Sequence, residues 1–185
     1  EGTASVAEGL GIPVLRGFFS EELGNKLASE GKKADLIVGN NVYAHVPDIN
    51  DFTKGLKVLL NRGGTITLEF PHLMRLIEQT QFDTIYHEHF SYLSLHVVNK
   101  IFKDSGLRIW NVEELSTHGG SLRIYCCHED DSRETLEIVT DLMIEERQRG
   151  LQCLDTYLNF QKRADKVKNN FLAFLINQKK SDKMV

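Results

Sequence analysis

Hydrophobic positions change period repeatedly along the first 130 residues of this chain. Thr3 to Leu10 reads as a short helix stopped at Gly11, with Pro13 just beyond. Ile12 to Leu15 is a short apolar run of strand character. Ser20 is placed to cap a helix reaching about Glu30, and Glu21 and Glu22 sit where a helix start favours negative charge. Ala34 to Val38 (ADLIV) reads as a compact buried strand that ends at Gly39-Asn40-Asn41. Asp48 precedes an amphipathic helix whose Phe52, Leu56, Leu59 and Leu60 recur at helical spacing. Arg62-Gly63-Gly64 reads as a turn, and Thr65 to Phe70 (TITLEF) as a β-branched strand. Strand, helix and strand at these lengths predict a βαβ unit with a parallel pair and a right-handed crossover.

Leu107 to Val112 and Ser121 to Cys127 are strand-like. Gly119-Gly120 between them permits an antiparallel hairpin at the sheet edge. Beyond Arg133 the pattern becomes helical, through Leu136, Val139 and Met143, then Leu151, Leu154 and Leu158, then Phe171, Phe174 and Leu175. Gly150 divides this stretch into one or two long helices.

Composition narrows the function without naming it. The 185 residues are 41% hydrophobic and 26% charged, an ordinary soluble balance for about one domain. A formal net charge of −4 and the lack of a basic block before Lys179, Lys180 and Lys183 argue against a nucleic-acid surface. No apolar run approaches the ~20 residues of a membrane span, and Glu1 to Glu8 has no signal-peptide character. Cys126, Cys127 and Cys153 are odd in number, and adjacent cysteines form no relaxed bridge, so a reducing cytoplasm is the expected location.

Open α/β sheets bind ligands beyond the carboxyl ends of their strands. That rule selects Phe18-Phe19, Asn40 to His45, Phe70 to His72, and the loop Phe82 to Tyr92 (FDTIYHEHFSY) that could fold over them. The loop is too polar and aromatic for a routine linker. Its Tyr86-His87-Glu88-His89 run admits a metal site, an acid–base cluster or a satisfied polar surface loop. HEH lacks the i, i+4 spacing of a helical zinc pair, so no metal is expected. The acid–base reading is preferred, because a histidine near neutral pKa is a suitable proton acceptor.

NNVYAHVPDINDF (Asn40 to Phe52), EFPHL (Glu69 to Leu73), QFDTIYHEHFSYLS (Gln81 to Ser94) and THGGSLR (Thr117 to Arg123) together resemble the C-methyltransferase family that modifies nucleotide-linked keto-deoxysugars. The likeness spans about residues 1–150, in the family's motif order. It implies an α/β fold: a partial class I S-adenosylmethionine (SAM) methyltransferase sheet, Rossmann-like, over residues 1–130, then a long-helix segment over residues 131–185. Within the family's strand order 3-2-1-4-5-7-6, this chain would carry strands 3, 4, 5, 6 and 7. The family's zinc-binding lobe, glycine-rich SAM turn and strands 1 and 2 have no counterpart, and the helical segment would lead toward a second nucleotide-binding-like domain. The implied expectations are a chain truncated at both ends, inactive by itself, with an open sheet edge at Ala34 to Val38 that self-association would bury.

The resemblance implies SAM as cofactor and a nucleotide-linked keto-sugar as substrate. It marks Tyr86, Glu88 and His89 as a functional group. Within it, His89 is assigned as the base that forms an enolate, Tyr86 as donor to the oxyanion, and Glu88 as the group that orients His89 or holds a sugar hydroxyl. His45 is a further expected catalytic residue. Glu1, Phe18, Phe19, Asn40 and Asn41 are the expected cofactor side, with Glu1 on the ribose, the phenylalanines flanking adenine and the asparagines at the methionine end. His72 and Arg123 are the expected substrate side. Each has a plainer reading: phenylalanine pairs usually pack in cores, asparagine pairs make turns, and a lone arginine on a strand is usually structural. A silent binding module is the alternative function. A nicotinamide oxidoreductase is weaker, for want of a GxGxxG turn.

Overall fold

The computed structural model describes residues 2–184, so Glu1 lies outside the described residues. The chain runs α1 (Gly2–Gly9), α2 (Glu21–Ser29), β1 (Ala34–Asn40), α3 (Ile49–Leu59), β2 (Leu60–Pro71), α4 (Leu73–Gln79), α5 (Leu95–Asp104), β3 (Leu107–Leu115), β4 (Ser121–His128), α6 (Glu137–Gln148), α7 (Leu154–Leu158) and α8 (Phe160–Lys180). The four strands form one sheet in the order β1-β2-β4-β3. β1 pairs parallel with β2, and β4 runs antiparallel to both β2 and β3. This is the 4-5-7-6 portion of the expected order, built from the βαβ unit and the hairpin that the hydrophobic periods predict.

Local chemistry places the helices. Ser20 Oγ accepts from Leu23 N at 3.1 Å and Asp48 Oδ1 from Asp51 N at 2.9 Å, which satisfies donors that helix starts leave open. Gly24 and Gly55 let α2 lie against α3, since a Cβ on Gly24 would fall 2.8 Å from the Gly55 carbonyl oxygen. Ile66, Leu68 and Phe70 of β2 and Leu122, Ile124 and Cys126 of β4 are fully buried beneath α3, α5 and α6. Tyr43 is also buried. Its ring meets Phe52, Phe70 and Phe102, and its hydroxyl lies 2.7 Å from Thr53 Oγ1.

Several expectations change. Residues 12–16 form no strand, because strand hydrogen bonds need a partner that none of the described residues supplies. The predicted helix there forms as α1 but buries no residue, and is held by an exposed Arg16–Glu8 pair at 2.7 Å. Ala34 to Val38 is not fully buried: β1 is the sheet edge, and Leu36 and Val38 are each 59% exposed on the face away from the helices. Arg62-Gly63-Gly64 lies within β2 as a register irregularity, where Ala34 opposes Leu60 and Leu36 already opposes Thr65. The C-terminal stretch forms three helices. Gly150, at φ +77°, separates α6 from α7 and α8. No helix among the described residues is long and apolar enough to cross a membrane.

Two polar clusters tie the later segments to the sheet. Arg133 donates to Thr65 Oγ1 and to the carbonyls of Gly63 and Gly64, and its guanidinium lies over Trp110. Hydrogen bonds from Arg133 hold the Asp131 carboxyl down to about 2. A folded value below the unfolded ~3.9 means that this contribution is complete above pH ~4 and is lost as pH falls toward the folded value.

The second cluster is deeper. Glu146 of α6 has no exposed side chain and accepts from Leu95 N at 2.6 Å, His96 N at 2.9 Å and His72 Nε2 at 2.7 Å. The carboxylate thus closes the N-terminus of α5, where the helix dipole favours negative charge.

Two outcomes test these clusters. Acid unfolding of Asp131→Asn should lack the part of the wild-type stability loss that falls between pH ~4 and the folded pKa, an assignment that superimposable acid-denaturation curves would overturn. Glu146→Gln places an amide NH2 among donors and should cost ~1–3 kcal/mol in urea denaturation. Unchanged stability would show that the buried carboxylate is dispensable.

Candidate active site

Beyond the carboxyl ends of β1 and β2 lies a cleft of about 510 Å³, lined among others by Asn41, His45, Tyr86, Glu88, His89 and His118. A larger hollow of about 750 Å³, lined by Lys33, Lys57, Leu60, Arg62 and His128, lies at the other end of the parallel pair, away from these groups. The smaller cleft occupies the position where open α/β sheets bind ligands.

Three segments build it. The chain leaves β1 through Asn41, at φ +53°, whose backbone N–H donates to the Glu69 carbonyl at 3.0 Å. A short 3-10 turn, Tyr43–His45, then buries Tyr43 and brings His45 to the cleft. The polar loop folds over that turn: Phe90 N and Ser91 N both donate to the Ala44 carbonyl, at 2.9 and 3.2 Å. The third wall is the β3–β4 connection, where Gly119 and Gly120 have φ of +77° and +121°. Both positive φ values call for glycine, and at Gly120 space does too, since a Cβ there would lie 2.8 Å from Arg75 Cβ.

The loop is turned, not extended: His89 N donates to the Tyr86 carbonyl at 3.1 Å. His89 Nδ1 lies 3.0 Å from the Thr84 carbonyl and His45 Nδ1 lies 2.8 Å from the Glu88 carbonyl. A carbonyl only accepts, so in both rings Nδ1 carries the proton, and the neutral imidazole has a bare Nε2. The Tyr86 hydroxyl reaches toward His89 Nε2 at 3.4 Å. The rings cluster, with centroids 4.4 Å apart for Tyr86–His89 and 4.8 Å for His45–His89, and Tyr92 stands edge-on to His89 at 5.8 Å. The group orienting His89 is therefore the Thr84 carbonyl. Glu88 orients His45 through its backbone and leaves its exposed carboxylate at the cleft. Among the described residues, no three His, Cys, Asp or Glu side chains gather as a metal requires.

The structure brings His89, Tyr86, Glu88, His45 and Asn41 to one cleft, but not the other expected site residues. Asn40 ends β1 beside Glu69 and lies outside the cleft lining. Phe19 packs edge-on against Phe52 at 5.1 Å, while Phe18 is 97% exposed. His72 has no exposed side chain and is held by Glu146 behind the cleft. Arg123 faces its cross-strand partner Glu69 at 2.8 Å and Glu113 at 3.2 Å, which satisfies its charge within the sheet. Sequence reasoning passed over His118, although it stands inside THGGSLR. The double glycine after it marked a tight turn but not which way the imidazole would face.

Comparison with known proteins bears on the family and the fold. Residues 12–112 match the family model described as a methyltransferase domain, and residues 116–185 match the C-methyltransferase C-terminal domain. The C-methyltransferase NovU of Streptomyces niveus is 34% identical over 165 residues, which is 89% of this chain and 39% of NovU. The chain thus spans about two fifths of that curated relative. Among solved structures, a SAM-dependent methyltransferase of Thermotoga maritima, a possible histamine N-methyltransferase, superimposes with a TM-score of 0.53 at 17% identity over 70% of each chain. That likeness establishes a shared fold. With a methyltransferase-domain model covering more than half its length, this chain belongs to the methyltransferase family.

Proposed function

We propose that the cleft takes part in C-methylation of a nucleotide-linked keto-sugar by SAM. The observation that carries the reading is His89, whose proton is held on Nδ1 by a backbone carbonyl while Nε2 stands bare beside the Tyr86 hydroxyl. Methylating carbon requires removal of a carbon-bound proton, which O- and N-methylation do not. A rigidly oriented imidazole acceptor meets that need. The C-methyltransferase C-terminal match and the likeness to NovU support carbon as the nucleophile. The motif resemblance around Tyr86 to His89 supports the keto-sugar.

SAM, when bound, would supply a methyl group on a sulfonium that leaves as a neutral thioether. The residues present fit its cofactor side in part: Asn41 offers an amide in the cleft at the end of β1, while Phe18, the residue expected at adenine, lies outside the cleft lining. On the substrate side, His89 Nε2 takes the proton from the carbon next to the ketone. The C–H electron pair moves into the enolate, and the charge gathers on the ketone oxygen. The Tyr86 hydroxyl turns from His89 to donate to that oxygen, which stabilises charge only as it develops. His45, fixed by the Glu88 carbonyl, presents a second acceptor nitrogen to the cleft, and the Glu88 carboxylate accepts from sugar hydroxyls.

The first test is solvent deuterium exchange into a keto-sugar nucleotide without SAM. Exchange should occur in the native polypeptide and fall with His89→Ala. Methylation without exchange would exclude a free enolate. His89→Ala should lower methyl transfer ~100- to 10,000-fold with SAM affinity nearly unchanged. Retention of a tenth of the activity would move the base elsewhere, with His45 next in line. Long-range proton–nitrogen NMR should find the neutral rings of His45 and His89 protonated at Nδ1. A proton on Nε2 of His89 would falsify its assignment as acceptor.

A further inference from the structure

We infer that His118 is a positioning residue of the cleft. It ties back the NH2 of the Asn41 side chain, so that the amide oxygen faces the bound ligand and accepts from an ammonium or hydroxyl donor. Asn41 Nδ2 lies 3.3 Å from His118 Nε2, across 77 residues of sequence, and both residues line the cleft. An amide nitrogen only donates, so His118 Nε2 is the acceptor and the Asn41 oxygen is the group left for a ligand. Without the imidazole, the amide could turn and present a donor to the same place.

Backbone geometry sets this contact apart from an accidental surface pair. Asn41 and His118 both have φ of +53°, the left-handed region that L side chains other than Asn and Asp seldom adopt. Such conformations cost ~1–3 kcal/mol and persist where surrounding structure enforces them. Here the enforcing group is shared. The Glu69 carbonyl accepts from Asn41 N at 3.0 Å, while the Glu69 carboxylate accepts from Thr117 Oγ1 at 3.1 Å, one residue before His118. Gln81 Nε2 holds the Gly119 carbonyl at 2.7 Å on the other side. One buried residue of β2 thus bonds to the chain on both sides of the contact, and His118 in particular holds a backbone that its side chain does not favour.

The position of Asn41, at the carboxyl end of β1, gives the amide oxygen its partner. The ligand group there is the amino-acid end of the cofactor, whose ammonium supplies N–H donors. This rests on the SAM reading proposed above.

The test is a double-mutant cycle on SAM affinity by calorimetry in the native polypeptide. Glycine replaces each residue, because it alone keeps the left-handed backbone while removing the side chain. Asn41→Gly and His118→Gly should each weaken binding ~5- to 10-fold, the scale of one hydrogen bond. The double variant should bind no more weakly than Asn41→Gly alone. Added imidazole should restore His118→Gly and leave the double variant unchanged, a response that a fold defect would not give. His118→Asn, which also tolerates this backbone, keeps the measurement available if the glycine variant is unstable, and should weaken binding to a similar extent. Wild-type affinity in His118→Gly and His118→Asn, or losses that multiply in the double variant, would overturn the inference. No SAM binding by the wild type would instead remove the cofactor reading beneath it.

Discussion

Glu146 brings a carboxylate into the interior with no exposed surface, where three donors from two other segments meet it. Two are the first N–H groups of α5 and the third is His72, which follows directly on β2. A carboxylate buried in this way is tolerable only because its oxygens are occupied. The geometry is consequently coupled. α6 cannot shift without exposing the start of α5, and His72 cannot shift without orphaning the carboxylate. His72 in turn pairs with Leu93 as an isolated bridge and donates its backbone N–H to the Gly120 carbonyl at 3.0 Å. The polar loop and the β3–β4 turn, two of the cleft's three walls, are thereby referred to one buried acid outside the cleft.

The cleft repeats this logic in milder form. Its two ring nitrogens with bare lone pairs are oriented by backbone carbonyls of the loop itself, those of Thr84 and Glu88. Backbone acceptors keep their direction when exposed side chains move, so the imidazoles are held even though Tyr86 is about half exposed. The same loop is fastened to the Tyr43–His45 turn through the Ala44 carbonyl, and that turn is anchored by fully buried Tyr43. Side chains at the surface of the cleft thus inherit their placement in part from one aromatic in the core.

The opposite face of the sheet is polar at its centre and apolar at its edge. Glu69, Arg123, Glu113 and Thr117 bind one another across β2, β4 and the turn after β3, while Leu36 and Val38 of β1 stand exposed. This accounts for Arg123: its cross-strand register places it opposite Glu69, and a charge so paired is not free for a ligand. Glu69 also holds Asn41 and Thr117, so the polar centre of this face and the far wall of the cleft share an anchor.

Much of this was legible in the residues because the causes are local. Ser20 and Asp48 mark helix starts through contacts three residues long, Phe52 and Leu56 mark a buried helix face by period, and Leu107 to Cys127 reads as a hairpin from its own glycines and alternation. Tyr86, Glu88, His89, His45 and Asn41 were chosen for their chemistry and motif likeness, and they meet in one cleft. Where the cause is long-range, the sequence was silent or misleading. Ile12 to Leu15 has strand composition but no partner strand among the described residues. His72 and Arg123 look like ligand groups until Glu146, 74 residues away from His72, and Glu69, 54 from Arg123, occupy them. His118 gave no sign of its contact with Asn41, which depends on two left-handed backbones brought together by a third strand. By itself the sequence determined most of the elements and the chemical inventory, since caps, periods and turns act within a few residues. Which polar groups are consumed by the fold and which remain free for a ligand was decided only by tertiary structure, because a side chain's hydrogen-bonding capacity is finite and its competing partners lie far away along the chain.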